Sequence, residues 1–184
     1  STFVTIVGTS LSLLAATMGA YVLSRKNLPY RRFFFYLLIL TMYFGGGLIP
    51  WYLVMKALGF VNSIWVMIIP PLINTFYLIL MRNYFESIPG DLEESAKIDG
   101  ANDFTVYLRI VMPLFKAGLA TIGLFNVVSR WNDWFTGFMY VENPVLIPLQ
   151  TMLIKIQKNV DFIMSNSEMS MSPDGLELIK NLPK

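Results

Sequence analysis

Few side chains in this sequence have the chemistry of an acid, a base or a ligand, and their spacing decides what they can do. Glu93 and Glu94 are adjacent; on a helix they point about 100° apart, so they cannot face one another across a cleft as general acid and base. Gly118 and Gly123 have the separation of the two glycines of a phosphate-binding loop, but Leu124 and Phe125 stand where its lysine and hydroxyl residue belong. The chain therefore cannot hydrolyse a nucleotide by itself. With no histidine and no cysteine in 184 residues, the commonest general base, thiolate chemistry, disulfides and cysteine-ligated metals are excluded. No metal-ligand spacing is present either, so the chain is read as a non-enzyme that binds no cofactor of its own. Two polar groupings remain. One is the acidic stretch from Pro89 to Pro113; the other gathers Asn126, Arg130, Asn132 and Asp133 around Trp131 and Trp134.

The first grouping is the only long polar segment between strongly apolar ones. Asp91 with Glu94 three residues later predicts a helix beginning after Asp91, each side chain bonding a backbone N–H near the other. That helix continues through Ile98. Gly100 sits where a helix ends by entering the left-handed region. Asn102 or Asp103 can cap a second helix, on which Phe104, Tyr107, Leu108 and Val111 share a face, and Pro113 closes the segment or opens the next. On composition alone, such a unit is an amphipathic hairpin lying at a membrane surface.

The spacing within it is more specific. Glu94, Ser95 and Ala96 are followed after three residues by Gly100, after nine more by Ile110, and after two more by Pro113. This resembles the EAA signature, Glu-Ala-Ala, three residues, Gly, nine residues, Ile-x-Leu-Pro, of the membrane subunits of binding-protein-dependent ABC importers. Ser95 replaces the middle alanine and Met112 the leucine, both keeping size or apolar character. Ile98-Asp99-Gly100-Ala101, the run Leu119 to Phe125, Trp131-Asn132-Asp133-Trp134 and the upstream Tyr21 and Arg25 to Pro29 region are similar to the carbohydrate branch, the smaller permease of maltose-type importers. The resemblance implies an all-α, polytopic membrane helix bundle of the type I importer class. Within it, residues 86–112 form a cytoplasmic loop that docks on a separate dimer of ATP-binding subunits, where ATP and Mg are bound. It further implies that Glu94 fixes the helix start, small Ser95 and Ala96 allow close approach, Asp99 meets a donor, and Gly100 with Ala101, Ile110 and Pro113 shapes the turn and its exit. A second permease subunit, an extracytoplasmic solute-binding protein and a sugar or oligosaccharide complete the implied set, in a bacterial or archaeal cytoplasmic membrane.

The elements that must position these groups are apolar. Only 14% of residues are charged, against about a quarter in soluble domains, and the mean hydropathy is +0.56. The net charge of +2 is not arranged as a basic, aromatic-interleaved stripe, so no nucleic-acid partner is expected; lipid is. Residues 1–24 carry no charge and suffice to cross a hydrocarbon core of about 30 Å. Gly8, Ser12, Ala16 and Ala20 recur every four residues and predict a close-packing seam. Arg25, Lys26, Arg31 and Arg32 make loop 25–32 cytoplasmic by the positive-inside rule. Phe33 to Met55 forms a second span, broken or loosened near its outer end by Gly45-Gly46-Gly47 and Pro50, with Trp51 and Tyr52 at the interface.

The third span, Ile64 to Met81, carries Pro70 and Pro71. Their freed carbonyls call for a donor, and Asn74 is the residue placed to supply it, to bond an adjacent helix, or to touch solute. Loop 82–112 then returns to the cytoplasmic side, and the fourth span runs from Val111 to about Val128. At its outer end, Asn126, Trp131 and Asn132 could line a sugar path; the preferred alternative is an interfacial belt with an Arg130–Asp133 pair. Leu149 to Ile156 could form a brief helix, and 141–184 is placed outside the cytoplasm. Four spans in one permease domain over 1–184 leave the expectation of one more span at each end of a longer chain.

Overall fold

A computed structural model describes residues 1–165; the polar stretch 166–184, placed outside in the topology above, lies outside the described residues. Among these, α1 (Thr2–Ser24) is the one helix long and apolar enough by itself to cross a membrane. Three bent pairs reach the same length and apolarity only when their two helices are taken together: α2 (Arg31–Tyr43) with α3 (Leu48–Ala57) at 115°, Ile64–Leu72 with α4 (Thr75–Ser87) at 41°, and α6 (Asp103–Leu114) with α7 (Lys116–Trp131) at 80°. The expected four spans hold when each bent pair counts as one.

Each bend has a local cause. At Gly45-Gly46-Gly47 the chain leaves the helix altogether, Gly47 taking φ 82°, so the expected loosening of the second span is a break. At Pro70-Pro71 two amide donors are missing, and Ile64–Met67 and Pro70–Leu72 wind as tight 3₁₀ turns rather than as a kinked α-helix. The third bend is at Phe115 (φ −90°, ψ 8°), whose buried ring lies where any β-carbon on Gly118 would stand. The second arm of this bent pair therefore runs from Lys116 to Trp131, and residues 111–114 belong to the arm before the bend rather than to one helix continuing to Val128.

α1 is the axis, packed against α4 and α7. Gly8, Ser12, Ala16 and Ala20 are all buried along it, as the seam required. One core joins Ala16, Ala20 and Tyr21 of α1 to Leu78, Met81 and Phe85 of α4, Val106, Tyr107 and Val111 of α6, and Phe115 with Ile122. A second, at the other end of α1, joins Val4 to Met55, the 3₁₀ residues Val66 and Met67 with Ile68 just after them, and Tyr140 with Val141 at the end of α8 (Phe135–Tyr140). α9 (Leu149–Ser165) extends well past the brief helix expected at 149–156. Thr151 at its start donates to Trp134 O at 2.9 Å, and Lys158 lies 5.5 Å from the Trp134 ring.

Candidate functional site

The signature stretch folds as two helices in a hairpin at the end of the bundle that carries Arg25. α5 (Gly90–Ile98) begins two residues earlier than the Asp-x-x-Glu pattern predicts, because Pro89 supplies the N-cap backbone and no side chain caps it. Asp91 and Glu93 instead lie in its first turn, where carboxylates oppose the positive end of the helix. Glu94 is exposed and does not fix the start. The other end follows the sequence reading closely: Gly100 has φ 85°. Ala101 N–H bonds Ala96 O at 2.9 Å and Gly100 N–H bonds Lys97 O at 3.0 Å, the paired closure of a Schellman motif. Ala96 and Ala101, the residues this closure brings together, both pack against the first core. Ala96 thus turns toward the spans, whereas Ser95, Asp99, Leu92 and Ile98 are exposed, the last 86% accessible.

Asn102 caps α6, its Oδ1 accepting from the Thr105 N–H at 2.8 Å. A π-helical turn at Tyr107–Val111 then rotates the face: Tyr107 and Val111 are buried, but Phe104 and Leu108 are exposed and Val106 takes their place. Ile110 is half-buried against the core, and Pro113 is exposed in the last turn.

The hairpin is fastened to α1 by polar contacts. Arg25, just past α1, pairs with Glu93 and lies 3.9 Å from the Tyr21 ring centroid. Tyr21 Oη donates to Asp103 O at 3.1 Å, and the hydroxyls of Thr17 and Tyr107 bond at 2.7 Å. Lys97 Nζ reaches Asp103 Oδ1 at 2.9 Å across the hairpin turn. Burial lowers the Arg25 pKa from its ordinary value, partly offset by Asp103; burial raises that of the Glu93 carboxyl, with Lys97 opposing and Asp103 adding. Both partners are thus held partly out of water. Nearby, Arg31 pairs with Glu86, Arg82 meets the same carboxylate at 2.7 Å, and both guanidiniums donate through Nε to Leu23 O in the last turn of α1. An open cavity of about 790 Å³ lies between loop 25–31, the end of α4 and α5.

The second polar grouping does something other than expected. Asn74 is an N-cap: its Oδ1 accepts from Phe76 N–H at 3.0 Å and Tyr77 N–H at 3.4 Å, and its Nδ2 makes no bond to the proline break. Arg130 does. Its Nη1 donates to Met67 O and its Nη2 to Pro71 O, both at 3.0 Å, while Nε donates to Asn126 Oδ1 at 2.9 Å. Asn126 in turn donates to Ser12 Oγ at 3.0 Å, and Gly8 leaves room for the guanidinium. Arg130 therefore turns inward and forms no ion pair with Asp133, whose carboxylate accepts from Thr136 N–H. Buried Asn126, bonded at both ends, is separated from Trp131 and Asn132, which are exposed at the end of α7. A signal for Arg130 was available: a cation one turn after Asn126, facing a span with two missing amide donors.

Broken apolar helices around a small-residue axis, with a polar hairpin tied to one end, make an all-α membrane helix bundle. The chain belongs to the family described as binding-protein-dependent transport system inner membrane component, whose model matches residues 3–173. It is 44% identical over 156 residues to the polygalacturonan/rhamnogalacturonan transport system permease protein YtcP of Bacillus subtilis (strain 168), covering 85% of this chain and 54% of that one. Against Protein LplC of the same organism it is 40% identical over 168 residues, covering 91% and 57%. A crystal structure of a bacterial ABC transporter involved in the import of the acidic polysaccharide alginate superposes with a TM-score of 0.82 at 41% identity, covering 84% of this chain and 55% of that one. The chain thus spans little more than half the length of the relatives it matches.

Proposed function

We propose that this chain is a permease subunit of an ATP-driven importer and that α5 is the helix through which a separate ATPase moves it. The observation that carries this reading is the two-sidedness of α5. Its Glu93 and Ala96 side is fastened to α1 and the first core, while Glu94, Ser95, Ile98 and Asp99 face outward. Residues 86–112 then lie on the cytoplasmic side with loop 25–32, and 141–184 on the other. The ATPase dimer carries ATP and Mg, a second permease completes the path, and a solute-binding protein delivers the cargo. Closure of the ATPases displaces α5 and the attached spans, alternating access between the two sides.

The cargo that fits the relatives is an oligosaccharide cut from an acidic polysaccharide. Arg130 is committed to two carbonyls and Asn126, so its charge is not free to read a carboxylate. Carboxylates on such a solute fall to the second permease and the binding protein. The test is reconstitution of the full complex in proteoliposomes. ATP-dependent uptake of labelled oligogalacturonide that is lost without the ATPase subunits is expected. Uptake that persists without them would refute an ATP-driven permease; ATP-dependent uptake confined to neutral oligosaccharides would refute the acidic cargo.

A further inference from the structure

α5 has no fully buried residue of its own, so apolar packing alone does not make it move with the spans. We infer that the Arg25–Glu93 pair is the strut that makes α1 follow α5, with Arg25 acting as a positioning residue. The inference rests on the coupling role proposed for α5 and adds the route by which displacement leaves it.

Three observations point to this pair. Glu93 lies in the first turn of α5, far from the Schellman closure at its other end, so the pair restrains the end of the helix that the hairpin turn does not. Arg25 directly follows the last residue of α1, and its guanidinium is stacked on Tyr21, one turn back on that helix. Tyr21 in turn is fixed by its bond to Asp103 O and by ring contacts with Phe85 and Tyr107. A push on Glu93 thus passes through Arg25 into the first core. Alongside it, the Lys97–Asp103 pair only joins the two arms of the hairpin and is more exposed, at 50% and 69% for the two side chains against 21% for each partner of the strut. A pair half out in water is screened and contributes little. Arg25 Nε and Nη2 are buried without an acceptor; these donors can engage a second acceptor as α5 moves, without releasing Glu93.

The chain has no cysteine, so nitroxides placed through Met18→Cys on α1 and Asp91→Cys on α5 report one distance. Both are measured in the full-length permease assembled with its second permease and ATPase subunits, with and without ATP. The native pair is expected to keep one narrow distance distribution in both states. Glu93→Arg or Arg25→Glu should leave ATPase subunits bound, yet broaden or shift the distribution when ATP is added. The double exchange Arg25→Glu with Glu93→Arg should narrow it again, and Arg25→Lys, which keeps the charge but not the guanidinium stacked on Tyr21, should fall between the native chain and the single reversals. The same single reversals should lower uptake per ATP hydrolysed by about tenfold, the scale of a typical inter-site coupling. A native distribution in either single reversal, or a double exchange no better than the singles, would overturn the strut. Failure of the ATPase subunits to assemble with the native chain would instead refute the coupling role itself.

Discussion

Removing the Arg130 guanidinium should unfasten the proline-broken span from α1 and α7. In Arg130→Met, Asn126 Oδ1 and Met67 O lose their donors inside the bundle, while Pro71 O, on the exposed side, can turn to solvent. Two acceptors left unpaired at about 1–3 kcal/mol each give about 2–6 kcal/mol, and the methionine returns about 1 kcal/mol through added apolar burial. A loss of about 3 kcal/mol is therefore expected. Gly8→Ala attacks the same contact from the other side: its new β-carbon would lie 2.5 Å from Arg130 Nη1 and 2.8 Å from Cζ. A guanidinium held by three bonds cannot swing away, so overpacking should cost about 1–3 kcal/mol. In the double variant the methionine removes the group that this β-carbon strikes, so the two effects should sum to clearly less than their total. The assay is unfolding of the purified full-length permease in mixed micelles, followed by tryptophan fluorescence as denaturing detergent is added. Arg130→Met within about 0.5 kcal/mol of native, or strict additivity with Gly8→Ala, would refute the account.

Gly100→Ala meets no neighbouring atom, so its cost should be the backbone strain of φ 85° alone, about 1 kcal/mol, read as roughly fivefold faster hydrogen exchange at the amides of positions 100 and 101. Gly137→Ala should cost about 1–3 kcal/mol in the micelle assay, because Thr151 Oγ1 and Pro148 occupy the space its β-carbon needs. An unchanged midpoint would mean that α8 and α9 separate freely. Cysteines at Asn27 and Asn102 should resist an impermeant thiol reagent in intact cells, while one at Val145, 88% accessible, should react; the reverse pattern would invert the topology.

What the sequence disclosed, and what it did not, divides along the range of the forces involved. α1, its small-residue seam, the left-handed Gly100 and the Asn102 cap were legible because each rests on residues within one or two helical turns. The Asp91–Glu94 start misled for a related reason: a local pattern met a stronger local competitor, Pro89, whose fixed φ begins the helix without a side-chain cap. The bend at Phe115 was not legible, since it depends on a ring seating itself against Gly118 within a core that α1 and α4 complete. Nor was the π-helical turn, which exchanges Leu108 for Val106 on the buried face.

The exchange of roles between Asn74 and Arg130 shows why polar residues in apolar helices are hard to assign from a single span. Both Asn74 and Arg130 carry donors that could reach a freed carbonyl. What separates them is demand elsewhere. The α-helix that begins at Thr75 has its own unpaired N–H groups, and Asn74, directly before it, is anchored there because its Oδ1 accepts from two of them, which leaves its Nδ2 with no bond to the proline break. The carbonyls of Met67 and Pro71 are then met from 63 and 59 residues away by a guanidinium with enough donors for both and for Asn126. Asn126 carries the chain of bonds on to Ser12 in the middle of the α1 seam. Ser12 therefore belongs to the seam for two reasons, its small size and its hydroxyl. On this basis Ser12→Ala should keep the close approach of α1 and α7 but leave Asn126 Nδ2 without an acceptor, costing about 1–3 kcal/mol. Ser12→Gly should cost about 0.5–1 kcal/mol more, from glycine's backbone freedom inside the helix, while Ser12→Thr, which retains the hydroxyl, should keep the bond and strain the seam instead. Micelle unfolding of the three variants separates the two contributions: equal stability of the Ser12→Ala and native chains would mean that the seam is steric alone.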